Sequence, residues 1–363
     1  MNRLKALILR ELATSKKSIW ELLERINSPI KDFIPTLKKL VEEDLIRLEN
    51  GNFCLTEKGK AEINQKSVEF EGKICKSCLG KRIVFDKKFN EVFEKFKELV
   101  KERPRPSSEF FQGYMLQQDV IARVAFMHYY NDLEGKNIVL IGDDDLLSVA
   151  LALTNLPSRI TVLDIDKRLG DFLNTLNKTH GLNIEFVEYD VADTLPPELK
   201  GKFDVFSSEP LETLSGLKAF IIRGVSCLKE NGVGYFGLTR YEASYKKWLV
   251  IQKLLVNMNC VVTDIIQGFS VYPMDYGNVS YEGFVSRLGL KIDKNPGINW
   301  YKSALFRFEV LGSAKLPASA EKKMKIKYID PEEDLTHPLI SNQLEEKSLK
   351  SADNLHRQKF FCL

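Results

Sequence analysis

The stretch IVLIGDDDLLSVALAL, residues 138–153, decides the fold: an apolar run of strand length, a glycine, three aspartates, then an apolar run of helix length. Adjacent carboxylates repel one another and resist burial unless something positive meets them. Asp143, Asp144 and Asp145 therefore mark either a solvated turn or a place where cations are received. Asp145 can also serve as the cap of the helix behind it, bonding the amides of Leu147 or Ser148.

Working outward, the same pattern repeats. Strand RITVLDID follows helix DLLSVALALTNL; then come helix KRLGDFLNTLNKTHG, strand NIEFVEYD, strand FDVFSSEP, helix ETLSGLKAFIIRGVSCL and strand GVGYFGLT. Val- and Ile-rich strands alternating with helices predict an α/β domain with a parallel sheet covered on both faces. Ligands of such sheets bind at the carboxyl ends of the strands. Those ends carry Gly142 with the aspartate run, then Asp164 and Asp166, then Asp190, then Ser207-Ser208-Glu209-Pro210. Asp164 lies about 22 residues after Gly142, the distance of an acid that takes ribose hydroxyls. Asp190 is placed to accept from an adenine amine.

Upstream, three amphipathic helical segments lead to RLENGNFCL, whose Asn50-Gly51 is a hairpin signal. Ser18 is the expected cap of SIWELLERI, and a third helix is expected over PIKDFIPTLKKLVEEDLI, kinked at Pro35. Three helices and a hairpin resemble a winged helix-turn-helix over 1–68. Lys31, Lys38 and Lys39 are its candidate DNA contacts, but Asp32, Glu42, Glu43 and Asp44 interrupt them, so nucleic acid is not the expected partner. Residues 69–106 hold Cys75 and Cys78, an amphipathic helix and a linker at Pro104 and Pro106. One CxxC lacks the four ligands of a structural zinc site, and no metal is expected. The catalytic domain is expected over 107–312, and 313–363 reads as a charged appendage or partly disordered tail, with a short helix near 342–350; His337 and His356 there are given no role.

The whole chain has 363 residues, a net charge of +3 and 44% hydrophobic residues. Near-balanced charge gives no general pull toward nucleic acid or membrane. No apolar run suits a signal peptide or a bilayer span, and the scattered cysteines are not a disulfide framework; a cytoplasmic protein is expected. The 28% charged fraction, rich in Lys and Glu, is compatible with a thermophile.

The acidic second strand and the acid after the third resemble the class I adenosylmethionine-dependent methyltransferases. Two departures count against an ordinary methyl donor. Aspartates replace the glycine-rich turn that receives the methionine carboxylate, and Ser208-Glu209-Pro210-Leu211 lacks the aromatic that stacks on a planar base. A methyltransferase acting on nucleic acid or protein is the alternative reading. A polyamine-sensing regulator and an Mg²⁺ site rank below it, for want of a basic patch and of a phosphate substrate.

With DLEGKNIVLIGDDDLLSVAL, ITVLDID, GYFGLTR, KKWLVIQKLL, VVTDII and NWYKS, the chain looks very like the branched-chain polyamine synthases over residues 1–312. That resemblance implies transfer of aminopropyl groups from decarboxylated adenosylmethionine to the central amine of spermidine, once or twice, with release of methylthioadenosine. Decarboxylated adenosylmethionine is then a co-substrate, no prosthetic group is implied, and spermidine or other polyamines are the partners; a homodimer is expected. Asp143 and Asp144 are the candidate catalytic acids. Asp145, Glu209, Tyr272 and Trp300 are the candidate polyamine contacts, with acids for ammonium groups and aromatic faces for alkylammonium chains. Gly142, Asp164 and Asp190 are the donor contacts. Asp275, Tyr276 and Tyr301, and behind them Tyr241 and Glu242, complete the rim candidates.

Overall fold

The computed structural model describes residues 3–64, 68, 73–338 and 340. They fall into two compact units, one drawn from 1–72, 274–300 and 330–340, the other from 73–273 and 301–329. The expected helix near 342–350, His356 and Cys362 lie outside the described residues.

The first unit opens with α1 (Arg3–Thr14), α2 (Ile19–Ile26) and α3 (Ile30–Glu42). Ser18 begins α2 with a capping box: its hydroxyl accepts from the Glu21 N–H at 3.3 Å while the Glu21 carboxylate accepts from the Ser18 N–H at 2.7 Å. The third helix ends at Glu42, short of the expected Ile46, because Asp44 turns left-handed (φ 53°) and releases Ile46 into a strand. Strands β1 (Ile46–Glu49) and β2 (Asn52–Leu55) pair antiparallel around Asn50 and Gly51, both at positive φ (48° and 75°), as a type I′ turn requires. A short α4 (Glu57–Ala61) follows. Residues 274–300 contribute to this unit's core. Trp20 packs on Phe284 and Trp300, with ring centroids 6.5 and 6.3 Å away. Lys31 pairs with Glu333, and Lys39 lies 3.7 Å from Glu43, so two of the candidate DNA contacts face acids.

The second unit carries α5 (Lys87–Leu99) and α6 (Gln117–Tyr129), then β3 (Asn137–Ile141), α7 (Leu147–Thr154), β4 (Arg159–Asp164), α8 (Lys167–His180) and β5 (Ile184–Glu188). It continues with β6 (Phe203–Ser208), α9 (Leu214–Cys227), β7 (Leu228–Thr239), α10 (Tyr245–Asn257), β8 (Cys260–Tyr272) and β9 (Tyr301–Val310). The sheet order is β5-β4-β3-β6-β7-β9-β8. Strands β3 to β7 are parallel as expected, but β9 runs antiparallel to both neighbours and the sheet is mixed. The crossover through α10 leaves one place empty between β7 and β8, and the chain fills it from the opposite direction after residues 273–300. Helix α9 lies close on the sheet because Gly224 has no side chain; a Cβ there would meet the Phe206 ring at 2.3 Å.

Residues 313–329 join this unit through Arg223, whose guanidinium donates to the Ala320 and Lys322 carbonyls at 2.5 and 2.8 Å. No helix among the described residues is long and apolar enough to cross a membrane.

Candidate active site

The carboxyl end of β3 carries the aspartate run through a tight turn. Gly142 takes φ 74° and its N–H donates to the Leu163 carbonyl at 2.9 Å, tying the turn to β4. Leu146 occupies the N-cap position of α7 at φ 60°, with no side-chain capping bond of its own. The cap comes from further back. The Ser148 N–H donates to both oxygens of Asp143, at 3.2 and 3.3 Å, so Asp143 and not Asp145 supplies the capping carboxylate. The left-handed residue at 146 folds the chain back and brings Asp143 over the helix end.

Asp144 and Asp145 face the segment that precedes α6. The Gly113 N–H donates to Asp144 at 3.1 Å, the Met115 N–H to Asp145 at 2.6 Å, and the Arg103 guanidinium to the Asp144 carbonyl. Arg103 lies 3.7 Å from the centre of the Tyr114 ring and within electrostatic reach of all three aspartates. A small crevice open to solvent is lined by Arg103, Gln112, Tyr114, Asp144, Leu146 and Asp166 among others.

At the end of β4, Asp164 accepts from the Asp143 N–H at 3.0 Å and from the Asp166 N–H at 2.9 Å. Asp166 caps α8 and is clamped by Arg168 at 2.7 Å and Gln112 at 2.8 Å. At the end of β5, Asp190 accepts from the Ala192 N–H at 2.8 Å. At the end of β6, Glu209 pairs with the fully buried Arg123 of α6 and accepts from the Tyr272 hydroxyl at 2.7 Å. It lies across β7 at Gly237, where a Cβ would stand 1.8 Å from its carboxylate.

Electrostatics follow from this crowding. Burial pushes the Asp143 carboxyl up to about 8 and Asp164 up to about 6. Burial also raises Asp144, with Arg103 pulling the other way, and it raises Asp145 well above the usual range, aided by the charge of Asp144. Asp166 goes down, since Arg168 and Gln112 outweigh its burial. Arg103 and Arg123 face Asp143, Asp144, Asp145 and Glu209, so carboxyl groups outnumber these guanidiniums and the crevice is short of positive charge.

Gly142, Asp143, Asp144, Asp145, Asp164, Glu209 and Tyr272 thus come together, with Asp190 one strand further along. Trp300 does not join them. It is fully buried in the first unit, packed against Trp20 and Phe284, and its indole N–H donates to Glu282 at 2.9 Å. Sequence reading missed Arg103, beside the expected linker at Pro104 and Pro106, then Gly113, Tyr114 and Met115 at the start of the expected catalytic domain, and Arg123, a lone charge inside an apolar helix. The signal for Arg123 was its i, i+4 spacing from Asp119 on a buried face. Cys75 is exposed and Cys78 half-buried; no group of three or more His, Cys, Asp or Glu suited to a metal occurs among the described residues.

A mixed sheet in this strand order, with acids along its carboxyl edge, defines an α/β protein of the class I methyltransferase-like kind. The comparisons with known proteins narrow the class. Residues 91–334 match the family described as branched-chain polyamine synthase A C-terminal domain. The chain is 38% identical over 301 residues to the N(4)-bis(aminopropyl)spermidine synthase of Thermococcus kodakarensis, covering 82% of this chain and 85% of that one. It is also 38% identical to the protein of the same name from Methanocaldococcus jannaschii, over 82% of this chain and 84% of the relative. The solved structure of the branched-chain polyamine synthase from Thermus thermophilus, in complex with N4-aminopropylspermidine and 5′-methylthioadenosine, is similar with a TM-score of 0.79 and 32% identity, over 90% of this chain and 92% of that one. The chain belongs to the branched-chain polyamine synthase family.

Proposed function

We infer that this protein transfers aminopropyl groups from decarboxylated adenosylmethionine to the central amine of spermidine, giving N4-aminopropylspermidine and then N4-bis(aminopropyl)spermidine. The observation that carries the reading is the excess of carboxyl groups at the carboxyl ends of β3, β4 and β6, where a donor carboxylate would be repelled and ammonium groups are drawn in. Relatives of this name over most of the chain, and a solved relative holding a branched polyamine with methylthioadenosine, support it.

The reaction is an in-line displacement. The nitrogen lone pair forms a bond to the carbon beside the sulfonium, the carbon–sulfur bond breaks, and its electron pair leaves with methylthioadenosine. Positioning supplies most of the catalysis, because the leaving group is already activated. Asp164 takes the ribose hydroxyls, Asp190 the adenine edge, and Gly142 gives the donor close access to the turn. Two cationic substrates stabilise the ionised forms of Asp144 and Asp145. Asp144 faces the reacting nitrogen and accepts its proton in the first transfer. A second transfer starts from a tertiary amine and leaves a quaternary ammonium with no proton to lose, so the same acids then act through charge alone. Asp143 lies behind them and holds the turn; Glu209 and Tyr272 receive the acceptor.

The hairpin and three helices of the first unit support a winged-helix assignment, without a role on nucleic acid. A cytoplasmic homodimer is the state we propose.

One assay tests the reading. The purified chain is incubated with spermidine and either adenosylmethionine or its decarboxylated form, and methylthioadenosine and polyamine masses are followed. Aminopropylated product with the decarboxylated donor alone is expected. A methylated product formed only from the carboxylated donor would overturn it.

A further inference from the structure

The segment after β6 lays a second acid, Glu212, against β7 beyond the expected site. Glu209 lies against Gly237; two residues further along the same face, Thr239 donates through both its N–H and its hydroxyl to Glu212. Two residues of strand span about 7 Å, comparable to the separation of amines joined by three or four carbons.

The register shows what surrounds Glu212. Thr239 pairs directly with Ser303, and Ser303 with Ser270, so the three side chains share one face of the sheet. Ser270 accepts from Arg123 at 3.0 Å and Thr239 holds Glu212. Between them Ser303 is 1% exposed, and its hydroxyl has no hydrogen-bond partner. Tyr301, on the same face of β9, donates to Glu242 at 2.7 Å and stacks on Tyr241 with centroids 5.1 Å apart. Glu212 and Glu242 sit within electrostatic reach of each other and of Tyr301, and both remain half-buried and open to solvent. Burial holds the Glu212 carboxyl up near 8, with Lys247 pulling it down. An orphaned buried hydroxyl, two carboxyl groups and stacked phenol rings suit a primary alkylammonium: three N–H donors for the oxygens and a positive charge for the ring faces.

We propose that Glu212, Glu242, Ser303 and Tyr301 form a distal ammonium seat that takes the far primary amine of the acceptor polyamine, with Glu209 serving the nearer charge. This rests on the polyamine-transfer reading above. The seat makes the length of the acceptor arm a determinant of specificity.

Spermidine binding to the full chain without donor is measured by calorimetry, alongside the steady-state constants for donor and acceptor. Glu212→Gln and Glu242→Gln are each expected to weaken spermidine binding, and to raise its KM, by about tenfold or more, as loss of a charged hydrogen bond implies. The turnover number and the donor KM stay within about twofold. Ser303→Ala, a milder change, is expected to act in the same direction. The probe N-butylpropane-1,3-diamine lacks the far amine; it should bind the parent more weakly than spermidine does and should bind both glutamine variants equally well. Unchanged spermidine affinity in folded glutamine variants would overturn the seat, as would equal weakening toward the probe. Calorimetry decides this even where no transfer is detected, which would count against the reaction and not against the seat.

Discussion

Asp143 and Asp144 are neighbours with opposite tasks, and pH separates them. The Asp143 carboxyl, at about 8 in the fold, keeps a proton that the unfolded chain releases near pH 4, so native stability falls as pH rises between those values. Asp143→Asn retains an oxygen for the Ser148 N–H and removes the charge that burial opposes. Thermal unfolding should therefore show this variant melting higher than the parent at pH 8.5 and close to it at pH 4. Asp144→Asn should lower kcat by about a hundredfold or more, as loss of a general base does. Full turnover in Asp144→Asn would remove the mechanism, and a lower melting temperature for Asp143→Asn at pH 8.5 would remove the buried-proton argument. The acid run itself was legible in sequence because charge beside a strand end is conspicuous. The division of labour was not: it depends on Leu146 turning left-handed, a choice that a leucine does not announce.

Elements were legible in proportion to how local their causes are. The capping box at Ser18, the Asn50-Gly51 turn and the alternation from β3 to β7 depend on near neighbours, and the sequence shows them directly. Strand β9 depends on a gap left by a crossover, and Trp300 packs in part on Trp20, 280 residues earlier in the chain, so neither its burial nor its absence from the acid cluster follows from spacing. The contacts of Gly113 and Met115 with the acid run are silent in the sequence because they use backbone amides, which any sequence possesses. Close packing of a helix on the sheet is similarly silent until a glycine betrays it. At Gly224 a methyl group would enter the Phe206 ring, so Gly224→Ala should cost about 1–3 kcal/mol in chemical denaturation. A gain in stability, as expected of alanine in an open helix, would show that α9 can shift away from β6.

For the whole molecule, the near-neutral net charge of +3 conceals a crevice short of cations. A ligand that binds the folded state alone stabilises it in proportion to the logarithm of its concentration over Kd. Polycations require the ionised form of acids that the empty fold keeps partly protonated, so binding must release protons and strengthen as pH rises toward and through about 8, where Glu212 titrates. Spermidine should accordingly raise the melting temperature more at pH 8.5 than at pH 5.5, even though the empty protein loses stability over the same interval. Added salt should reduce the effect only modestly, because buried pairs are screened less than surface ones. Differential scanning fluorimetry with spermidine at both pH values checks the sign. A larger stabilisation at pH 5.5, or one abolished by moderate salt, would place the polyamine on the charged surface and away from the strand ends.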